Sequence, residues 1–296
     1  MLYDSIRVAV FSDIHSNYAA LEACLKDCKI FGVDEYIVAG DLISDWHQPK
    51  ETLGAIRALT KLVIKGNREQ YFCEYEKNRN LWHIYDQYAS LLWTYQQLDH
   101  AERAYIAALP EALVITAGKK QIRVVHGSVF RMNELVYQKN GAKRLSQSLN
   151  AIHEDILLFG HSHEQWKFKY QNKLAINPGS VGVHFNKQQC AEYCILELKG
   201  SSIEVIFRLV AYDLDEAFLN MMKSELYSMA YVWVLVNYLG MTKGFPSISE
   251  FLRDIKEERL RSDITANGPI PNDIWHSVFE RKYAPMVISD IIKIDL

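Results

Sequence analysis

The sequence predicts an α/β protein, and three observations carry that expectation. First, short apolar runs recur, each ending abruptly at oxygen or nitrogen donors: Ile6 to Phe11 before Asp13 and His15, Tyr36 to Ala39 before Asp41, Leu62 to Ile64 before Asn67. Such runs read as strands buried on both faces. Second, helical periodicity fills the gaps. Asn17 can cap a helix whose Ala20, Leu21, Cys24, Leu25, Cys28 and Phe31 share one face, with Gly32 as its stop, and Pro49 opens another with Leu53, Ile56 and Leu59 on one face. Third, residues 191–199 and 202–212 alternate apolar and polar positions around Gly200-Ser201, the pattern of a β-hairpin, expected to close a second sheet.

Three strand-helix units in a row imply a parallel sheet with right-handed crossovers. All three strand ends then lie along one edge, where open α/β sheets keep their sites. Residues 71–110 interrupt the alternation with an aromatic-rich helical insertion containing Trp82, Tyr85, Tyr88, Trp93 and Tyr95. A stripe of this kind is core, or else a lid that stacks a base. Strands resume at Gln121 to Val125 before His126-Gly127, at Ile156 to Phe159 before Gly160-His161-Ser162-His163, and at Leu174 to Ile176 before a turn from Asn177.

From Asp213 the texture becomes helical, broken by Gly240, Pro246, Asn267-Gly268, Pro269 and Pro271. The expected organisation is therefore a core over residues 1–212 and a helical C-terminal extension over 213–296, either packing over the core or capping the site.

Composition narrows the function. With 49% hydrophobic and 23% charged residues among 296, the chain is ordinary globular material, and its net charge of -3 gives no reason to expect general nucleic-acid binding. No apolar run spans a bilayer, and the N-terminus lacks a signal-peptide pattern. The longest apolar candidate, Met229 to Leu239, reads as a buried helix. Five cysteines without a CxxC pair fit a reducing compartment, so a cytoplasmic location is expected.

Collected, the strand-end residues are Asp13, His15, Asp41, Asn67, His126, His161 and His163. Buried carboxylates and imidazoles gathered at one spot are costly unless a cation compensates them. Seven ligands exceed what one ion needs, so two ions are expected, bridged by Asp41 from the middle strand end. Mixed nitrogen and oxygen donors suit manganese, iron or zinc better than calcium. Two adjacent cations can hold a bridging hydroxide and grip phosphate oxygens, which implies hydrolysis at phosphorus.

Asp13-x-His15, Gly40-Asp41, Gly66-Asn67, His126-Gly127 and Gly160-His161-Ser162-His163, in that order, resemble the signature of the calcineurin-like metallophosphoesterases over roughly residues 6–212. Asn177-Pro178-Gly179-Ser180-Val181-Gly182 resembles the turn of their small bacterial phosphodiesterase, diadenosine-tetraphosphatase-like branch. The resemblance implies two packed mixed sheets flanked by helices in a four-layer sandwich. It also implies one ion on Asp13, His15, Asp41 and His163, and another on Asp41, Asn67, His126 and His161.

One departure stands out: Asn67-Arg68-Glu69 replaces the family's Asn-His-Asp or Asn-His-Glu. Arginine is a poor proton donor but its planar fork fits a phosphate oxygen, so Arg68 is expected to clamp the transition state or, alternatively, to pair with Glu69 or another acid. His47 and His184 are candidate replacement acids, and His184 with Trp46 or Tyr71 candidate substrate contacts. The expected function is hydrolysis of a nucleotide phosphodiester or phosphoanhydride, a diadenosine tetraphosphate-like substrate favoured, with catalysis resting on Asp41 and Arg68. A phosphoprotein phosphatase is the alternative enzyme. A non-catalytic interaction protein on the same scaffold is the alternative of another class, and it would be expected to show eroded ligands.

Overall fold

In the computed structural model, residues 5–245, 247–262 and 268–287 are described. Pro246, Asn267 and the last nine residues of the expected extension lie outside them. Among the described residues nine strands form: β1 Ile6–Phe11, β2 Glu35–Val38, β3 Ala112–Ala117, β4 Lys120–Val125, β5 Ile156–Leu158, β6 Gln165–Tyr170, β7 Lys173–Pro178, β8 Ala191–Lys199 and β9 Ser202–Val210. They make two sheets, ordered β2-β1-β8-β9 and β3-β4-β5-β7-β6.

Both sheets are mixed. In the first, β1 pairs parallel with β2 and antiparallel with β8; in the second, β4, β5 and β7 run parallel while β3 and β6 are antiparallel edges. The sheets face each other across an apolar layer that includes Val8, Val10, Ile37, Val124, Ile156, Leu158, Ile176 and Leu196. Helices α1 Tyr18–Ile30 and α2 Pro49–Leu59 cover the outer face of the first sheet through Leu21, Cys24, Cys28, Leu53 and Ile56. The four-layer sandwich implied by the family resemblance is the fold observed.

Two sequence expectations change. The hairpin forms as expected, but β8 pairs with β1, so it completes the first sheet rather than closing a second. β1 can accept it because only one of its edges is taken by β2. The third run, Leu62 to Ile64, reaches the sheet edge through a single bridge between Val38 and Val63, and Gly66 turns the chain away before a ladder can form.

After it come α3 Asn67–Cys73, α4 Tyr75–Ile84, α5 Ala89–Gln97 and α6 His100–Ala108. The aromatic stripe of this insertion packs inward: Tyr75 stacks on Tyr95 at 3.9 Å, Trp82 lies parallel to Tyr88, and Trp93 is buried. Helix α7 Gln138–Asn150 covers the outer face of the second sheet through Leu145 and Leu149.

Beyond β9 lie α8 Leu214–Met222, α9 Glu225–Lys243, α10 Ser247–Arg261 and α11 Asn272–Val278. The apolar run Met229 to Leu239 falls in α9, where Val232 to Met241 are buried all round, as a helix enclosed by protein should be. Among the described residues no helix is long and apolar enough to cross a membrane. Helix α9 packs on α5, Trp46, Trp93 and Trp233 share one apolar cluster, and His276 bonds Asp86 at 2.6 Å. The insertion and the extension thus build one helical layer beside the strand ends.

Candidate functional site

The strand ends are locked together by backbone hydrogen bonds before any side chain is considered. Asp13 N–H donates to the Gly40 carbonyl, His15 N–H to that of Asp41, and Gly160 N–H to that of His126, all at 2.7–3.0 Å. Five of the candidate ligands, Asp13, His15, Asp41, His161 and His163, hold positive φ between 51° and 65°. Non-glycine residues avoid this region, and such strain persists where the surroundings over-determine it and a site needs it. The loops approach so closely that a Cβ on Gly66 would sit 2.1 Å from Asp41 Oδ1, and one on Gly160 2.1 Å from Ser12 Oγ.

Two groups of donors result: Asp13, His15 and His163, and Asp41, His126 and His161, with the donor atoms of each group lying within 4.8 Å of one another. Asn67 Oδ1 lies 3.0 Å from His126 Nε2. Asp41 Oδ2 is 3.3 Å from His126 and 3.8 Å from His15, one residue of each group, so it stands between them. The structure therefore brings together all seven residues singled out from the strand ends.

The donor chemistry fits cations. His126 Nδ1 pairs with the Ala39 carbonyl at 2.8 Å, His163 Nδ1 with the Val183 carbonyl at 2.6 Å, and His15 Nδ1 with Asp45 at 3.0 Å. With Nδ1 of His126 and His163 engaged by backbone carbonyls and that of His15 facing the Asp45 carboxylate, the Nε2 atoms are turned inward, the arrangement that orients imidazole ligands. His15 and His163 point their Nε2 atoms at each other 3.3 Å apart, close enough for both lone pairs to serve one cation. Burial alone would lower His126, yet the carboxylates of Asp41 and Asp13 hold it up at about 10, so positive charge is favoured here.

Asp45 was passed over in the sequence. Its Oδ2 meets His15 Nδ1, its Oδ1 accepts from Trp233 Nε1 at 2.7 Å and from Ser44 Oγ at 2.8 Å, and both oxygens accept from Arg68 Nη2. Burial would raise its carboxyl, but Arg68 and His15 hold it well below the usual carboxylate range. The available signal was a second acid four residues after Asp41 in the same polar loop, overshadowed by Trp46 and His47. Arg68 pairs with Asp45, not Glu69, and its guanidinium lies 4.8 Å from the Trp233 ring centre. Glu69 instead accepts the backbone N–H groups of Asp41, Leu42, Ile43 and Gly66 at 2.8–3.1 Å, pinning the two loops that carry Asp41 and Asn67.

A cavity of about 300 Å³ opens over the donors, with His15, Asp41, Asn67, Arg68, His161 and His163 in its lining. Tyr71, Tyr137, Phe185, Trp233 and Leu252 make its apolar wall. Three sequence expectations fail to reach it. Trp46 is buried in the helical layer's apolar cluster, away from the cavity. His184 is buried facing the Tyr212 hydroxyl at 3.0 Å, and burial pushes it down to about 3, so it is neutral and unsuited to donate a proton. His47 lines a different depression, between α1 and α8. Phe185, Tyr137, Trp233 and Leu252 come from segments with no ligand signature, so no pattern marked them.

The turn at Asn177 supports the site. Asn177 Nδ2 donates to the Gly160 carbonyl and Ser162 Oγ, while Ser180 Oγ donates to the Asp13 carbonyl and accepts from Val183 N–H. One small-residue turn thereby ties the Asp13 loop to the His161 loop and places the carbonyl that orients His163.

A four-layer sandwich whose strand ends carry grouped nitrogen and oxygen donors is the framework of a metal-dependent hydrolase. Residues 6–201 match the model of the calcineurin-like phosphoesterase superfamily domain, and the chain belongs to that superfamily. It is a metallophosphoesterase, a hydrolase of phosphoric esters. An uncharacterized protein of Methanocaldococcus jannaschii is 27% identical over 234 residues, 74% of this chain and 93% of that protein. Among solved structures, a hypothetical protein from Pyrococcus horikoshii aligns with a TM-score of 0.68 at 22% identity, over 79% of this chain and 98% of the other. A metallophosphoesterase from Sphaerobacter thermophilus aligns at 0.62 and 22% identity, over 77% and 98%. At this identity the two structures speak to the fold alone.

Proposed function

We propose that the two donor groups hold two transition-metal ions, manganese, iron or zinc, with Asp41 as the shared ligand. In this reading Asp13, His15 and His163 complete one ion's shell, and Asn67, His126 and His161 the other's. The observation that carries it is the convergence of both groups beneath one cavity, with His15 and His163 of one and Asp41 and His161 of the other in its lining. When bound, the ions supply an activated water and positive charge for phosphate oxygens.

The chain's own residues do the rest. Asp45 fixes the His15 ring, the Ala39 and Val183 carbonyls fix His126 and His163, and Glu69 holds Asp41 in register. Both Arg68 bonds to Asp45 come from Nη2, which leaves Nη1 and Nε to meet a substrate phosphate and stabilise charge as it builds. Every histidine lining the cavity is a candidate ligand, so no imidazole remains there to protonate a leaving group. A leaving group that departs as an anion avoids the need, and phosphoanhydrides and activated diesters have one. The aromatic wall of Tyr71, Tyr137, Phe185 and Trp233 supports a nucleotide as the substrate, a dinucleoside polyphosphate in particular. The extension's contribution to that wall supports a small molecule over a phosphoprotein.

The test is product analysis with manganese-loaded protein on diadenosine tetraphosphate, an aryl phosphodiester and a phosphoserine peptide. The highest kcat/KM is expected on the dinucleotide. Turnover of the aryl diester alone would keep the metal chemistry and reject the substrate, and preference for the peptide would make the protein a phosphoprotein phosphatase.

A further inference from the structure

Asp45 is where three parts of the chain meet. It sits in the loop after β2 at φ 73°, 2% exposed, in a left-handed conformation that a non-glycine residue holds only under constraint. Its backbone N–H donates to Ser90 Oγ of α5, and its carboxylate takes the indole N–H of Trp233 from α9. The same carboxylate faces His15 and Arg68. Among the described residues, no other carboxylate at the site bonds a residue of the extension.

Trp233 acts on this cluster twice. Its Nε1–H fixes Oδ1, and its ring supports the Arg68 guanidinium, a contact that gains strength where water is excluded. The indole is itself held in place, parallel to Trp275 of α11 with ring centres 6.0 Å apart. The helix that presents Trp233 is enclosed by protein, so the indole enters as a fixed group rather than a mobile side chain.

We propose that Trp233 is a positioning residue for the site, orienting His15 and Arg68 through Asp45. The C-terminal extension is then part of the active site, and its docking sets the geometry of one metal ligand and one phosphate contact. This rests on the metal-dependent reading above. Carboxylates that orient a ligating imidazole typically change metal affinity ten- to a hundredfold when altered; Trp233 stands one step behind such a carboxylate.

The experiment uses the full chain and four variants: Trp233→Phe, which keeps a ring but loses the N–H; Trp233→Leu, which loses both; Asp45→Asn; and Trp166→Phe. Trp166 is buried on the outer face of the second sheet and controls for loss of an indole as such. Mn²⁺ affinity is read by calorimetry, and kcat and KM on an aryl phosphodiester.

Asp45→Asn is expected to weaken one of two Mn²⁺ steps by about a hundredfold and Trp233→Phe by about tenfold. Trp233→Leu should additionally raise KM, through Arg68, and Trp166→Phe should match the wild type. Wild-type Mn²⁺ binding and kcat/KM in Trp233→Phe would overturn the proposal, as would equal weakening in Trp166→Phe. If the metal-affinity pattern appears but the wild type hydrolyses nothing, the positioning role stands and the hydrolytic reading fails.

Discussion

The floor and the wall of the cavity are built by opposite means. The floor comes from strand ends whose backbones bond one another directly, with five donor residues in left-handed conformations and glycines where a Cβ would collide. Its positions are fixed to the precision of the two sheets. The wall comes mostly from helices, with Trp233, Ile248 and Leu252 projecting from the extension and Tyr71 from the insertion, while Tyr137 and Phe185 add to it from loops. Its positions are set by side-chain packing between helices, which tolerates change more readily. In the proposed reading, chemistry is placed on the part tied by backbone hydrogen bonds, and substrate shape on the part set by side-chain packing.

That contrast is broken most severely at the floor. Asp41→Ala should lower kcat by three orders of magnitude or more, roughly the cost of losing a group that acts only with its neighbours, and reduce bound manganese from two ions toward one. Steady-state kinetics and metal analysis check both. Glu69→Gln attacks the same floor from behind. The amide puts an NH₂ among four backbone donors, and urea denaturation should register a loss of about 3 kcal/mol.

A smaller effect lies just outside the site. Burial pushes the Glu192 carboxyl up from 4.5 to about 7, against the pull of its hydrogen bond from Asn186. A folded-state value above the unfolded one means the native protein binds the proton more tightly. The Glu192 contribution to stability is therefore full below pH 4.5, declines as pH rises from 4.5 to 7, and is lost above. Glu192→Gln should flatten that slope and gain about 2 kcal/mol at pH 8, measured by denaturation across pH. The smallest change is expected at the wall: Leu252→Ala at the cavity rim should raise KM by about threefold while leaving kcat and Mn²⁺ affinity unchanged, since the contact is made equally in ground and transition states.

The same division decided what could be read from the chain. Donor residues directly after apolar runs announce themselves, because strand and ligand are neighbours in sequence; Asp13, Asp41, His126 and His161 are of this kind. The sandwich was implied by the family resemblance that their order carries. β3 and β6 were not anticipated, since as edge strands they alternate exposed with mostly half-buried positions, offer no continuous apolar run and end at no ligand. The hairpin's sheet was misplaced because alternation fixes a strand pair but not its third neighbour. Asp45 and Trp233 escaped because their meeting spans 188 residues and leaves no spacing to detect. His184 followed the right turn but on the side facing Tyr212.

The most direct test of the two-ion centre is anomalous diffraction from crystals of manganese-loaded protein. Two peaks are expected, one among Asp13, His15 and His163 and one among Asn67, His126 and His161, with Asp41 touching both. A single peak, or density elsewhere with the two groups empty, would contradict the two-metal centre and with it the chemistry built on it.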